Sequence, residues 1–259
     1  MDEQDFHHYL NLALTGSMIG AFFLLHVCGI KAPYGRYSSG AGKAWGPLVP
    51  ARVSWVVQEC PVLIACWICW ADAQPACTGA ANRVLLAMVA LHYFNRTFIY
   101  PFTTRGGKGS TLATTLAATG FCAANGYLQA RHLSSFAAYD DAWLASAQFR
   151  AGAALYALGM AVNVHSDRVL RNLRKPGETG YKIPRGGAFR YVSCANYLGE
   201  LVEWLGYAVA CWSSPAAWGF FVCTFANLGP RAHQHHQWYR AKFDDYDALG
   251  RTAIIPFVW

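Results

Sequence analysis

Charge is what this sequence has least of. Only 14% of its 259 residues are Asp, Glu, Lys or Arg, against about 25% in an ordinary soluble domain. That is too little to cover a globular surface of this size. Disorder is excluded too, because a disordered chain needs low hydrophobicity and high charge, and here 54% of residues are hydrophobic and 15% aromatic. The chain also lacks an internal repeat, a low-complexity linker and any stretch able to hold a separate soluble domain of ~100 residues. Its first apolar segment has no basic n-region and no small-residue cleavage site, so it reads as a retained helix and not as a signal peptide. Nucleotide motifs are missing as well. Gly106-Gly107-Lys108-Gly109-Ser110 lacks Walker A spacing, and no G-x-G-x-x-G follows a strand. A nucleotide, if bound, is held by a helical pocket.

What the chain has is apolar length. Segments near Tyr9–Ile30, Val53–Trp70, Val84–Tyr100, Thr111–Gln129, Phe149–His165, Val192–Trp212 and Pro215–Gly229 each approach the ~17–25 residues that cross a bilayer. The basic residues are split unevenly among the loops. Eighteen of the 21 Lys and Arg fall in the first, third and fifth connections and the tail, while Arg83, Arg131 and Arg150 alone serve the others. By the positive-inside rule this predicts an all-α integral membrane protein with seven transmembrane helices, the N-terminus outside and the C-terminus cytoplasmic. Residues 1–259 then form one membrane-embedded domain. The asymmetry accounts for the net charge of +7 with no nucleic-acid partner. Eight of the nine cysteines lie within apolar segments, Cys66 and Cys69 as a CxxC pair inside one, where thiols act as small hydrophobes. Cys77 falls in an outward loop.

Ionisable groups at membrane depth cost roughly 2.5–3.5 kcal/mol each and mark function by default. Gln58-Glu59 precedes Pro61 in the second segment. Its plain reading is a structural carboxylate paired to a neighbouring helix. The functional reading is a desolvated acid that keeps its proton and donates to a substrate oxygen. His92-Tyr93-Phe94-Asn95-Arg96 closes the third segment, where Tyr93 could equally serve as an interfacial anchor. Asn163 and Asp167 share a helix face that continues to Arg171 and Arg174. That is either a lipid-facing basic surface or a polyanion pocket, with an acid for ribose hydroxyls beside arginines for phosphates. Asn196, Glu200 and Glu203 form one stripe, with nearby arginines as the expected partners. Arg231, His233, His235, His236 and Tyr239 follow. Three close histidines could ligate zinc, but Pro230 and Arg231 disfavour a metal pocket, so no metal is expected. Together these residues predict a large polar cavity open to the cytoplasm and a smaller, drier polar pair beside it.

These motifs resemble the steroid 5α-reductase (3-oxo-5α-steroid 4-dehydrogenase) family. The resemblance rests on Pro50-Ala51-Arg52 with Gln58-Glu59, His92-Tyr93-Phe94 with Arg96-Thr97-Phe98, Gly159-Met160 with Asn163, His165-Ser166-Asp167, and Leu173-Arg174-Lys175-Pro176-Gly177-Glu178. It continues with Ile183-Pro184 and Gly186-Gly187, Asn196 with Gly199-Glu200, Arg231 with His235-His236, and the ending Ile255-Pro256-Phe257, in the family's order from about Tyr34 to Trp259. It implies an enzyme of the endoplasmic-reticulum or bacterial inner membrane that reduces the Δ4 double bond of 3-oxo-Δ4-steroids with NADPH. An alanine-rich composition points to a bacterial member.

By position, the resemblance assigns Glu59 and Tyr93, with Gln58 close by, to the C3 carbonyl, a site built mainly from residues 53–100. It assigns Tyr34, Arg105, Asn163, Asp167, Arg174, Tyr181, Lys182, Asn196, Glu200, Arg231, His235 and Tyr239 to the cofactor, mainly within residues 159–240. Trp55 and Phe121 are expected to wall the apolar pocket. The implied partners are a steroid-like lipid and membrane lipid, the protein acting as a monomer. The chain departs from the family pattern at Gly106-Gly107, at Gln234 within the histidine run, and at Asn227, where relatives tend to be apolar or aromatic near the steroid. The alternatives are a reductase of another lipid enone, enoyl or polyprenol substrate, and an isoprenylcysteine-type methyltransferase. A non-catalytic sterol sensor would leave the dense cytoplasmic ionisable residues without a purpose.

Overall fold

The computed structural model describes residues 1–29, 45–104, 109–174, 178 and 180–259. Seven long helices occupy most of the described residues: α1 Glu3–His26, α2 Ala51–Ala71, α3 Ala80–Phe94, α4 Leu112–Arg131, α5 Ala147–Arg171, α6 Ala195–Cys211 and α7 Pro215–Lys242. Their starts are written in the sequence. The side chains of Asp2, Thr111, Ser146 and Ser214 each accept a backbone N–H of the first turn, capping α1, α4, α5 and α7. Two helices do not simply stop. α3 widens into a π-turn, Asn95–Ile99, and α4 into another, His132–Phe136. Such turns accompany functional sites, and the first rotates Arg96 inward. Two-residue strands, β1 Leu48–Val49 and β2 Ser110–Thr111, pair antiparallel with Leu48 opposite Thr111.

The expected helical segments are present with shifted boundaries: α1 starts at Glu3 and α3 at Ala80, earlier than expected, and three further shifts bear on the site. α5 runs on to Arg171. α6 begins at Ala195, because Ser193 and Cys194 donate their N–H groups to Thr252 and Ala253 and so pair with the C-terminal segment. α7 passes Gly229 and Pro230 and continues to Lys242. Pro230 removes one helical hydrogen bond, but Leu228, Ala232, Ala253 and Ile254 form a common apolar cluster that holds the helix together. The presumed tail histidines are therefore helical.

Helices α5 and α6 pack closest. A Cβ at Gly152, Gly159, Gly199 or Gly206 would collide with main-chain atoms of the facing helix, at Ala210, Glu203, Asn163 and Tyr156 respectively. Only glycine permits that approach. α2 lies on α4, where Gly126 faces Val62, and α1 lies on α7, where Gly219 faces Asn11 and Thr15. One end of the bundle is bound together by several hydrogen bonds. Asn82 donates to Leu133 O and Ala137 O, Gln129 to Ala216 O, Trp143 to Ala210 O and Asn11 to Pro215 O.

By length and composition, α1 and α2 are apolar enough to cross a membrane. α1 buries only His7 and Asn11 and exposes Leu12, Ile19, Phe23 and Leu24. Trp67, Ile68, Leu91, Phe94, Leu116 and Leu158 are likewise more than half or nearly half exposed. An apolar exterior this extensive suits lipid and not water.

Candidate active site

A cavity of about 470 Å³ opens between α1, α2, α3, α4, α6 and α7, within the size range of small-molecule sites. Its two ends differ. Around one, Gln58 and Glu59 of α2 and Tyr93 of α3 meet Phe121 and Cys122 of α4 and Phe220 of α7. At the other lie Arg96, Tyr100, Asn196, Glu200 and Arg231. The predicted drier pair and polar pocket are thus two parts of one chamber.

Local structure explains how the first group is presented. Pro61 cannot donate to Val57 O, and the Cys60 thiol reaches that carbonyl instead at 3.8 Å. Gln58 is buried and faces the cavity. Cys122 Sγ sits 3.9 Å from Glu59 Oε2. Tyr93 is held by a directed chain. Gln129 Nε2, which also donates to Ala216 O at 2.9 Å, donates to Asn125 Oδ1 at 3.1 Å, and Asn125 Nδ2 donates to the Tyr93 hydroxyl at 3.2 Å. The tyrosine oxygen accepts, so its own proton is left for a further acceptor.

Behind Tyr93 lies a buried hydrogen-bonded pair, with His92 Nδ1 2.9 Å from Glu203 Oε1. This corrects the expectation that Glu203 would find an arginine. The α5–α6 contact turns Glu203 into the core, where the histidine next to Tyr93 meets it. Trp204 packs on both His92 and Tyr93, at centroid separations of 4.6 and 6.0 Å.

At the second end Arg96 is the hub. Its guanidinium lies 4.4 Å from the Trp55 ring centroid and 4.5 Å from that of Tyr100, and its Nη1 is 3.7 Å from Asp167 Oδ2. Asn163 donates to Asn196 O at 2.9 Å, joining α5 to α6. Among the expected site residues, Trp55, Gln58, Glu59, Tyr93, Phe121, Asn196, Glu200 and Arg231 line the cavity. Asn163 and Asp167 adjoin it through Asn196 and Arg96.

Arg174, Tyr181 and Lys182 are exposed. Tyr181 lies against Trp238, and Lys182 pairs with Glu178. The histidines diverge: His233 stacks on Trp259, His235 lies beside Tyr197, and His236 Nδ1 is 2.6 Å from Ser193 Oγ. Tyr239 stacks on Tyr246. Tyr34, Arg105 and the glycines after it, and Lys175-Pro176-Gly177 lie outside the described residues.

Sequence reasoning missed Asn125 and Gln129, whose signal was two amides one turn apart in an apolar helix. It missed Arg96 as a site residue, although Arg96 stood in a motif it had singled out. It also missed the α1 wall of Met18, Ala21 and Leu25, which carries no polar signal.

Residues 108–259 match the family model described as 3-oxo-5-alpha-steroid 4-dehydrogenase. The chain is 50% identical to 3-oxo-5-alpha-steroid 4-dehydrogenase 1 of Bos taurus, over 96% of this chain and 95% of the relative. This chain belongs to that family. Its identity to the type 1 protein of Homo sapiens is 49% over 87% of this chain and 86% of the relative. To the type 2 protein of Rattus norvegicus it is 44%, over 98% of both chains. Within the steroid dehydrogenase family it is an oxidoreductase, and with its two membrane-length helices it is a membrane protein.

Proposed function

We propose that the protein reduces the Δ4 double bond of a 3-oxo-Δ4-steroid to the 5α-dihydro product, with NADPH as the reductant. The observation that carries this reading is the Gln129–Asn125–Tyr93 chain, which leaves the Tyr93 O–H free to donate into an apolar cavity beside Glu59. An enone gains negative charge on its carbonyl oxygen as its β-carbon is reduced. Fixed donors near that oxygen stabilise the charge, and they act most strongly where water is excluded. Tyr93 is one such donor. Glu59, kept neutral in the same apolar surroundings, is the second. Gln58 steadies the same oxygen, and Trp55 and Phe121 hold the ring system. C5 receives hydride, and C4 is then protonated by water.

The second end of the cavity fits a dinucleotide by the chemistry of its donors. Arginines Arg96 and Arg231 suit phosphate and carboxamide oxygens, and Asp167, Glu200, Asn163 and Asn196 suit ribose and amide groups. Arg174, Tyr181, Lys182, His235 and Tyr239, with Tyr34 and Arg105, complete the proposed set. NADPH supplies the hydride when bound; the protein's part is to orient it and exclude water. We place the chain in the bilayer as seven spans, with the N-terminus outside and the C-terminus cytoplasmic. It acts there as a single monomeric unit, in a bacterial inner membrane or the endoplasmic reticulum.

The test is a product assay in nanodiscs with NADPH and testosterone or progesterone, resolving 5α- and 5β-products by mass spectrometry. The 5α product supports the reading. NADPH binding without steroid turnover removes the steroid, and loss of both removes the reductase.

A further inference from the structure

The α7 face of the cavity presents Phe220, Cys223, Thr224, Asn227, Leu228 and Arg231. Among its polar side chains, Asn227 differs from the rest. The Thr224 hydroxyl donates to Phe220 O at 2.9 Å, and Arg231 has a protein partner. The Asn227 carboxamide has none among the described residues. It is half-buried on a wall shared with Met18, Ala21 and Leu25 of α1. An amide facing an apolar space without a partner is unfavourable, so a ligand atom is the natural recipient of its hydrogen bonds.

Its depth says which part of the ligand. The outward ends of α2, α3, α4 and α7 are level, tied by the Arg131–Asp72 pair, the Asn82–Leu133 bond and the Gln129–Ala216 bond. Counting from those ends, Glu59 is 12 residues from Ala71, Tyr93 is 13 from Ala80 and Asn227 is 12 from Pro215. At 1.5 Å per residue all three lie about 18–20 Å down the bundle. Asn227 therefore stands across the chamber from the carbonyl donors, at their level, on helix α7 beside α1. A rigid four-ring ligand with its ketone at Glu59 and Tyr93 would extend across the bundle and bring its opposite end to Asn227.

We propose that Asn227 is a specificity-determining residue that hydrogen-bonds an oxygen on the ring-D end of the steroid, remote from the C3 ketone. The proposal rests on the reductase reading above. A carboxamide carries both a donor and an acceptor, so it serves a ring-D hydroxyl or a side-chain ketone alike. A steroid lacking that oxygen leaves the amide unpaired.

The test compares kcat/KM of the full-length protein in nanodiscs for testosterone, progesterone and androst-4-en-3-one, which lacks the distal oxygen. It does so for the unaltered protein and for Asn227→Leu. The preference for the oxygenated steroids falls roughly three- to tenfold in the variant, the range of one ordinary hydrogen bond, while the KM for NADPH is unchanged. The ligand-free variant melts no lower than the parent, because no protein hydrogen bond is lost. Asn227→Ala, which only removes atoms, gives the same readout should the leucine variant not accumulate. An unchanged preference overturns the proposal. A raised KM for NADPH with the preference intact also overturns it, and gives the amide to the cofactor. Failure of the unaltered protein to turn over all three steroids removes the reductase reading itself, and this inference with it.

Discussion

The hydrogen-bond chain ending on Tyr93 makes a quantitative prediction. Asn125→Leu keeps the side-chain volume near constant and removes the donor 3.2 Å from the Tyr93 oxygen. Gln129 keeps its bond to Ala216 O but loses Asn125 Oδ1 as the acceptor of its second Nε2 N–H, so the cost in stability is about 1–3 kcal/mol. The cost in catalysis is of another kind. Without Asn125 the tyrosine hydroxyl is free to rotate, and the donor aimed at the substrate oxygen is no longer preorganised. One weakened donor of this type is worth about 1–1.5 kcal/mol, so kcat is expected to fall roughly tenfold. Tyr93→Phe, which deletes the donor outright, is expected to lower kcat by roughly 10²–10³. The assay is steady-state reduction of testosterone in nanodiscs by the two single variants and the double variant. If Asn125 acts through Tyr93, then Asn125→Leu has no further effect once Tyr93 is Phe. Additive losses would refute the positioning role, and an unaltered kcat in Asn125→Leu would refute the directed chain.

Other outcomes follow from the same geometry. Glu59→Gln is expected to lower turnover while leaving the affinity for NADPH near that of the parent, as read by a direct titration beside the rate assay. Asp167→Ala takes away the acid 3.7 Å from Arg96 and is expected to weaken NADPH binding; an unchanged dissociation constant would remove Asp167 from the cofactor set. Gly159→Ala forces a methyl onto the main chain at Glu203 and is expected to cost about 1–3 kcal/mol, visible as a lower melting temperature in detergent.

The protein should also lose stability in mild acid through His132. Burial, and His7 beside it, hold that imidazole down to about 4, against 6.5 for a free histidine. The unfolded chain binds the extra proton first, so stability is full above pH 6.5 and falls as the pH drops towards 4. The loss reaches about 2–3 kcal/mol, and His132→Gln should flatten that part of the melting curve.

How much of this was legible in the sequence depended on chemistry more than on position. Membrane helices announce themselves through the absence of charge, and the capping residues at Ser146 and Ser214 mark two of the helix starts. Gln58-Glu59, Tyr93, Glu200 and Arg231 stood out because polar groups are costly in apolar surroundings, and all of them line the same cavity. Partnership was harder to read. Glu203 lies on the same stripe as Glu200, yet the glycine-mediated approach of α5 turns it to His92, which no spacing rule conveys. Pro230 looked like a boundary, and the tertiary contacts of Leu228 and Ala232 carried the helix past it. Arg96 needed the π-turn at Asn95–Ile99 to aim inward, and nothing in the local sequence signals a wide turn.

The four glycines between α5 and α6 also act on the site. Asn163 and Glu203 are two of the residues whose main-chain atoms press against Gly199 and Gly159. The helices bearing Asn163 and Asp167 on one side, and Asn196 and Glu200 on the other, are thus set apart by the thickness of two backbones. They behave like rails of fixed gauge. Side chains elsewhere in the bundle can repack or exchange rotamers, but the width between these two rails does not follow them. Substitutions that retune the apolar end of the chamber leave the spacing of Asn163 and Asp167 from Asn196 and Glu200 unchanged.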